Sequence, residues 1–216
     1  MQVLRSKPFQ SEPLDRLAET MHTSKILNRS KCKRYYKARF LREGCCAYVD
    51  VIFFDTKYYD DLLPEELLAV GAHEFNHINN NHGIKRFMRI ICPAIATTAI
   101  IGLLVVANYA SINSALFFNT LEGSLFFTFA LMLSLSLPYF ASFYINAKWF
   151  QQQETQCDLS AVKFANGEAL ISALVKLNTL RPNKRKCSDS RFSLRLYPTL
   201  EQRTNNIRTA IESQKK

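Results

Sequence analysis

His73 and His77, four residues apart with Glu74 beside the first, form an H-E-F-N-H run equipped for metal-assisted hydrolysis. On an α-helix, positions i and i+4 share one face, so both imidazoles can hold one zinc ion while Glu74 projects beside the water that the ion activates. Either histidine alone would read as an ordinary core or surface residue. The spaced pair around an acid, in a chain of 216 residues with four histidines, reads as a metal-binding pair. His82 follows His77 by five residues and lacks the Gly-containing spacing that returns a third histidine, so it is expected not to touch the metal.

A hydrolytic zinc site needs three protein ligands and one open position, so a third ligand must come from elsewhere in the chain. Glu154 is the best candidate. It lies in the helical segment W-F-Q-Q-Q-E-T-Q-C-D-L-S-A-V-K-F, where Asp158 stands four residues on and hence on the same face. One carboxylate can ligate zinc while the other hydrogen-bonds a ligating imidazole and fixes its tautomer. In isolation both would read as solvated helix carboxylates; the upstream histidines are what favour the metal reading.

The elements that must position these side chains follow from periodicity and breakers. Pro64 suits a first helical position, Glu65 and Glu66 suit the positive helix end, and Gly83 is a stop signal, which predicts the histidine helix over about Pro64 to His82. Leu67, Leu68, Val70, Ala72, Phe75 and Ile78 give it an apolar surface. Asn76, Asn79, Asn80 and Asn81 make it too polar for the middle of a bilayer. A first helix is expected over Ser11 to Ile26, where Leu14, Leu17 and Met21 recur at helical spacing. Two strands, Arg34 to Leu41 and Cys46 to Phe54, should pair antiparallel across a turn at Arg42-Glu43-Gly44. Helices over Glu168 to Leu180 and Leu200 to Ile211 flank a basic loop, Arg181 to Ser190.

Charge distribution says how the chain meets a membrane. Residues 90 to 147 contain no Lys or Arg and one acid, Glu122. Ile90 to Ala107 and Leu125 to Ala147 are apolar runs near the roughly 20 residues that cross a bilayer, which predicts a two-helix transmembrane hairpin. Lys85, Arg86 and Arg89 precede the first run and Lys148 follows the second, while Asn108 to Ser124 has no cation. By the positive-inside rule both termini and the zinc domain face the cytoplasm, with Tyr109 and Trp149 near the span ends. No secretory signal is visible, since the first 30 residues lack an apolar core segment. The organisation expected is a discontinuous catalytic domain, 1–89 with 148–216, interrupted by a hairpin at 90–147.

The net charge of +10 and the run Lys31 to Lys37, which mixes cations with aromatics, could suit nucleic acid. Anionic lipid heads beside a cytoplasmic surface are the simpler partner, so a lipid bilayer and no specific nucleic acid is expected. The six cysteines, at 32, 45, 46, 92, 157 and 187, show no C-x-x-C pairing and should stay reduced. No segment specifies an oligomeric state.

H-E-F-N-H at 73–77, an apolar hairpin, then E-T-Q-C-D-L-S-A at 154–161 resembles the membrane zinc metallopeptidases that include the HtpX-type heat-shock proteases and the CAAX prenyl endopeptidases. The resemblance covers roughly residues 45 to 208. It implies an α+β, mainly helical, zincin-like domain with a small antiparallel sheet, one zinc ion, and Glu154, Asp158 and Ala161 in the family's E-x-x-x-D-x-x-A stretch, with Glu154 as third ligand. It implies peptide or protein substrates, Glu74 as general base, and a strand edge, Cys46 to Phe54 being nearest, that pairs with extended substrate. Two departures stand out. HtpX-type proteins usually carry transmembrane helices ahead of the catalytic helix, and nothing in residues 1–63 is long and apolar enough to span. Where the family tends to have His-Pro with an Arg six residues past the His, this chain has Tyr197-Pro198 and Arg203. The Tyr197 phenol could donate to a developing oxyanion or could only pack, and Arg203 is expected in a structural ion pair. Rival readings are an inactive zinc-binding membrane module and an intramembrane protease, the latter opposed by the Asn-rich helix.

Overall fold

The computed structural model describes residues 7–24, 34–38, 44–48, 50–111, 121–180 and 198–214. The chain divides into two compact units, Met1–Lys85 together with Phe150–Lys216, and Arg86–Trp149.

The first unit is mainly helical around a four-stranded sheet. Strands β1 (Lys7–Phe9), β2 (Arg34–Ala38), β3 (Cys45–Tyr48) and β4 (Val51–Asp55) lie in the order β1-β2-β4-β3. β1 pairs antiparallel with β2, β2 parallel with β4, and β4 antiparallel with β3. The sheet is therefore mixed, and the expected hairpin of Arg34 to Leu41 with Cys46 to Phe54 does not form. The second of those segments is two strands, broken at the turn residue Asp50. β4 is interior, paired with β2 on one edge and β3 on the other, and turns Ile52 and Phe54, both fully buried, to one face. Of the expected turn Arg42-Glu43-Gly44, residues 42 and 43 lie outside the described residues.

Helix α1 (Glu12–Thr23) buries Leu14, Leu17 and Met21, a spacing of three and four that makes one apolar stripe. That stripe lies on α3 (Pro64–Asn79), where Gly71 leaves room for it: a Cβ there would stand 2.5 Å from Leu14 Cδ2. Between sheet and α3 runs the short α2 (Thr56–Asp61), capped by Asp55, whose carboxylate accepts from the Lys57 and Tyr58 N–H groups. Tyr35 and Phe75 meet edge to face at 6.4 Å, joining sheet and α3 in one core.

Helix α3 stops at Asn79, and α4 (His82–Ser111) begins with Gly83 already inside it. The expected stop at Gly83 is thus displaced. Asn81 makes the break with φ of 52°, a left-handed conformation that asparagine tolerates better than most residues, and its carbonyl accepts from Lys85 N–H to start α4. Along the other side of α3 packs α6 (Gly167–Thr179), which also carries α7 (Leu200–Gln214).

The start of α3 is tied to α6 through buried Glu66. Its carboxylate accepts from Lys176 Nζ at 2.7 Å, Ser172 Oγ at 2.6 Å and the Leu63 N–H at 2.7 Å. Burial pushes its pKa up, but these donors outweigh burial and hold it below the usual carboxylate range. A folded-state pKa below the unfolded one adds stability above pH of about 4.3, and that stability is lost as pH falls through the folded value. Glu66→Gln should therefore cost about 2 kcal/mol in denaturant titrations at pH 7, with the gap to wild type narrowing below about pH 4. An equal gap at both pH values would show that the charge on Glu66 is not what stabilises.

His82–Leu103, which begins at the end of the first unit and runs into the second, is among the described residues the one stretch, of 22 residues, long and apolar enough to cross a membrane. Its helix α4 is followed by α5 (Leu121–Ala161), which continues into the first unit from Phe150. The Arg89 guanidinium lies 3.9 Å over the Trp149 ring, a cation–π contact between the basic flanks of the two helices.

Candidate metal centre

The middle of α3 is buried all round, which puts His73, Glu74, Asn76 and His77 inside the fold beside Ala72 and Phe75. Facing them is the last part of α5, with Gln153, Glu154, Cys157 and Asp158 also buried. Asn76 Nδ2 donates to the Gln156 carbonyl at 3.4 Å, one polar link between the two helices at this level.

His73 Nε2 and His77 Nε2 approach to 3.1 Å. Glu154 closes a triangle on them, with Oε2 at 3.5 Å from His73 Nε2 and Oε1 at 3.5 Å from His77 Nε2. Four donors at zinc bond lengths of about 2.0–2.1 Å in a tetrahedron stand roughly 3.3 Å from one another. The observed separations bracket that value. Two imidazoles and one carboxylate converging in this way fit a zinc ion in both donor type and spacing, and the same three residues form a group whose ligand atoms lie within 4.8 Å of one another.

Behind the donors stands an ionic support. His73 Nδ1 lies 2.9 Å from Asp158 Oδ1, although the ring N–H direction departs from the line of a strict hydrogen bond. Asp158 in turn accepts from Arg203 Nε at 2.7 Å and Nη2 at 2.6 Å, a bidentate pair, while Arg203 Nη1 reaches to 3.8 Å from Glu154. Arg203 is aimed by the start of α7, where Thr199 and Gln202 exchange side-chain and backbone hydrogen bonds as a capping box. Burial works against charge on His73, yet Asp158 and Glu154 outweigh it and push its pKa up to about 9. Burial likewise opposes ionisation of Glu154 and Asp158; the imidazoles and Arg203 win, and both carboxyls are held below their ordinary range. The pocket is thus tuned to hold positive charge, and a bound divalent cation would need both ring nitrogens deprotonated.

Glu74 is buried on the same helix, and β3, which packs on α3, brings the thiol of Cys45 near it. Burial, and then the Glu74 charge, push the Cys45 thiol well up, so it stays protonated. Nothing local in the sequence signals this pair, since residues 45 and 74 meet only through packing of β3 on α3.

His82 also escapes the sequence reading. Its Nδ1 stands 2.9 Å from His77 Nδ1, and Cys157 Sγ stands 3.6 Å from the same His82 atom. On an unbroken helix, residues five apart diverge by about 140°, so the break at Asn80 and Asn81 is what returns His82 to His77. The asparagine run was the available signal. Tyr197 lies outside the described residues.

Residues 33–211 match Peptidase family M48. Among solved structures, the crystal structure of S. mikatae Ste24p is similar to 94% of this chain and 51% of that chain, with a TM-score of 0.55 and 20% identity. At that identity the likeness is one of fold, and the chain spans about half the length of Ste24p. No curated protein matches the chain. With the family match running from β2 through α7 and over both helices that carry the donor triangle, this chain belongs to peptidase family M48.

Proposed function

We propose that this protein is a membrane-anchored zinc endopeptidase with His73, His77 and Glu154 as metal ligands and Glu74 as general base. The donor triangle carries the reading, since two imidazoles and a carboxylate from distant helices converge at ligand spacing. A zinc ion held by these three residues would supply a water of lowered pKa. Glu74 takes the proton of the attacking water and delivers a proton to the leaving amine. Asp158 and Arg203 hold His73 in place from behind, and the phenol of Tyr197, where the family tends to have histidine, can donate to the oxyanion.

Substrate binds along β3. That strand is at an edge of the sheet, packs on α3, and brings Cys45 to Glu74, so a peptide added to it runs past the base. Main-chain pairing of this kind selects extended backbone with little sequence preference. The edge expected from Cys46 to Phe54 is thereby narrowed to Cys45–Tyr48, because β4 is interior.

Residues 90–147 form the membrane anchor as two spans, and 1–89 with 148–216 form the catalytic domain. Exposed Ile95, Ile100 and Leu103 on α4 and exposed Phe129, Met132 and Phe140 on α5 support lipid contact for both helices. The cations Lys85, Arg86, Arg89 and Lys148 support a cytoplasmic catalytic face, where membrane proteins or peptides would be cut. The full chain in detergent should bind one zinc per chain and cleave casein, with cleavage stopped by 1,10-phenanthroline and restored by zinc. Bound zinc without cleavage would favour the inactive module, the reading to which Tyr197 in place of His lends its one support.

A further inference from the structure

We propose that His82 is a positioning residue that fixes the ring orientation and tautomer of His77, the counterpart of what Asp158 does for His73. This rests on the reading of His77 as a ligand. If His77 ligates through Nε2 as a neutral imidazole, its Nδ1 must carry the proton, because each neutral ring has one N–H and one lone pair. That proton needs an acceptor in a buried place. At 2.9 Å from it lies His82 Nδ1, and both rings are buried. His82 Nδ1 is then the acceptor, and the proton of the neutral His82 ring sits on Nε2. Cys157 Sγ, at 3.6 Å, approaches the same nitrogen and is fully buried.

The two ligating rings are thus held by different chemistry. His73 faces an ionised carboxylate anchored by Arg203, whereas His77 faces an uncharged imidazole carried on the first turn of α4. The separations among His77, His82 and Cys157 would also suit a soft cation. The shared ring decides between the two uses, because a cation on His77 Nδ1 requires loss of the proton that neutral ligation through Nε2 leaves there.

The test measures zinc affinity of the full chain by chelator competition, with the visible spectrum of the cobalt-substituted protein as a second readout. Wild type is titrated first, and absence of any bound zinc would sink the ligand assignment itself. With one zinc bound, His82→Leu, which removes the acceptor, should weaken zinc by about 10- to 100-fold and shift the cobalt bands. His82→Gln, whose amide oxygen can accept from His77 Nδ1, should recover most of that loss, which a purely packing role would not give. Cys157→Ser leaves the histidine pair intact and should change affinity by less than threefold. Equal affinities for wild type and both His82 variants would overturn the proposal with the zinc site still standing. So would two zinc ions per wild-type chain falling to one in His82→Leu, which would make the cluster a second metal site. Should His82→Leu fail to fold, a Cys157→Ser loss larger than that of His82→Gln would overturn it equally.

Discussion

Glu74→Gln is expected to lower kcat for casein cleavage by about 10³- to 10⁴-fold while the protein keeps one zinc and its KM. The amide has the shape of the carboxylate, so the buried position remains filled. Only the capacity to take a proton is gone. Cys45 cannot substitute for it, since burial, the largest cause raising that thiol and one the substitution leaves in place, keeps it protonated near neutral pH. Zinc stays because the donor triangle is made by His73, His77 and Glu154 without Glu74. The measurement is steady-state kinetics paired with metal analysis of the same sample. A variant that keeps more than a tenth of wild-type kcat would remove Glu74 from the role of base, and one that loses zinc would make Glu74 part of the metal support instead.

What was legible in the sequence is what local periodicity encodes. The histidine pair is visible because helix geometry turns a spacing of four into one face, and the same rule aligns Glu154 with Asp158. Leu14, Leu17 and Met21 announced α1 in the same way. That α5 docks on α3 so that Glu154 meets both rings is a tertiary fact; periodicity proposed a ligand, and resemblance to a family pattern chose it. The sheet was misread for a related reason. Alternation identifies a strand but not its neighbour, so adjacency in sequence suggested a hairpin where β4 intervenes between β2 and β3. β1 and α2, of three and six residues, are too short to show a period at all. The end of α3 was misplaced because glycine is the commoner left-handed residue, whereas Asn81 does that work here. His82 and Cys45 touch the functional side chains through contacts that no spacing rule contains.

Asp158→Asn should destabilise the fold by about 3–5 kcal/mol and weaken zinc by about 10- to 100-fold. Asp158 is fully buried and presents its two oxygens to three nitrogens, Arg203 Nε, Arg203 Nη2 and His73 Nδ1. Asparagine offers one oxygen and an NH₂ group, so whichever way the amide is turned a donor faces a donor. Arg203 then keeps its charge in a buried place without a full counter-ion, and that uncompensated charge is the larger part of the cost. The same logic separates cause from mere packing. If the stranded guanidinium is what destabilises, the double variant Asp158→Asn with Arg203→Leu should be more stable than Asp158→Asn alone, even though it removes a further native side chain. Zinc affinity should not recover with it, because His73 still lacks the carboxylate that orients its ring. Chemical denaturation and chelator competition on the two variants therefore read the two functions of Asp158 independently. A double variant less stable than the single one would show that Arg203 contributes by filling space rather than through its charge.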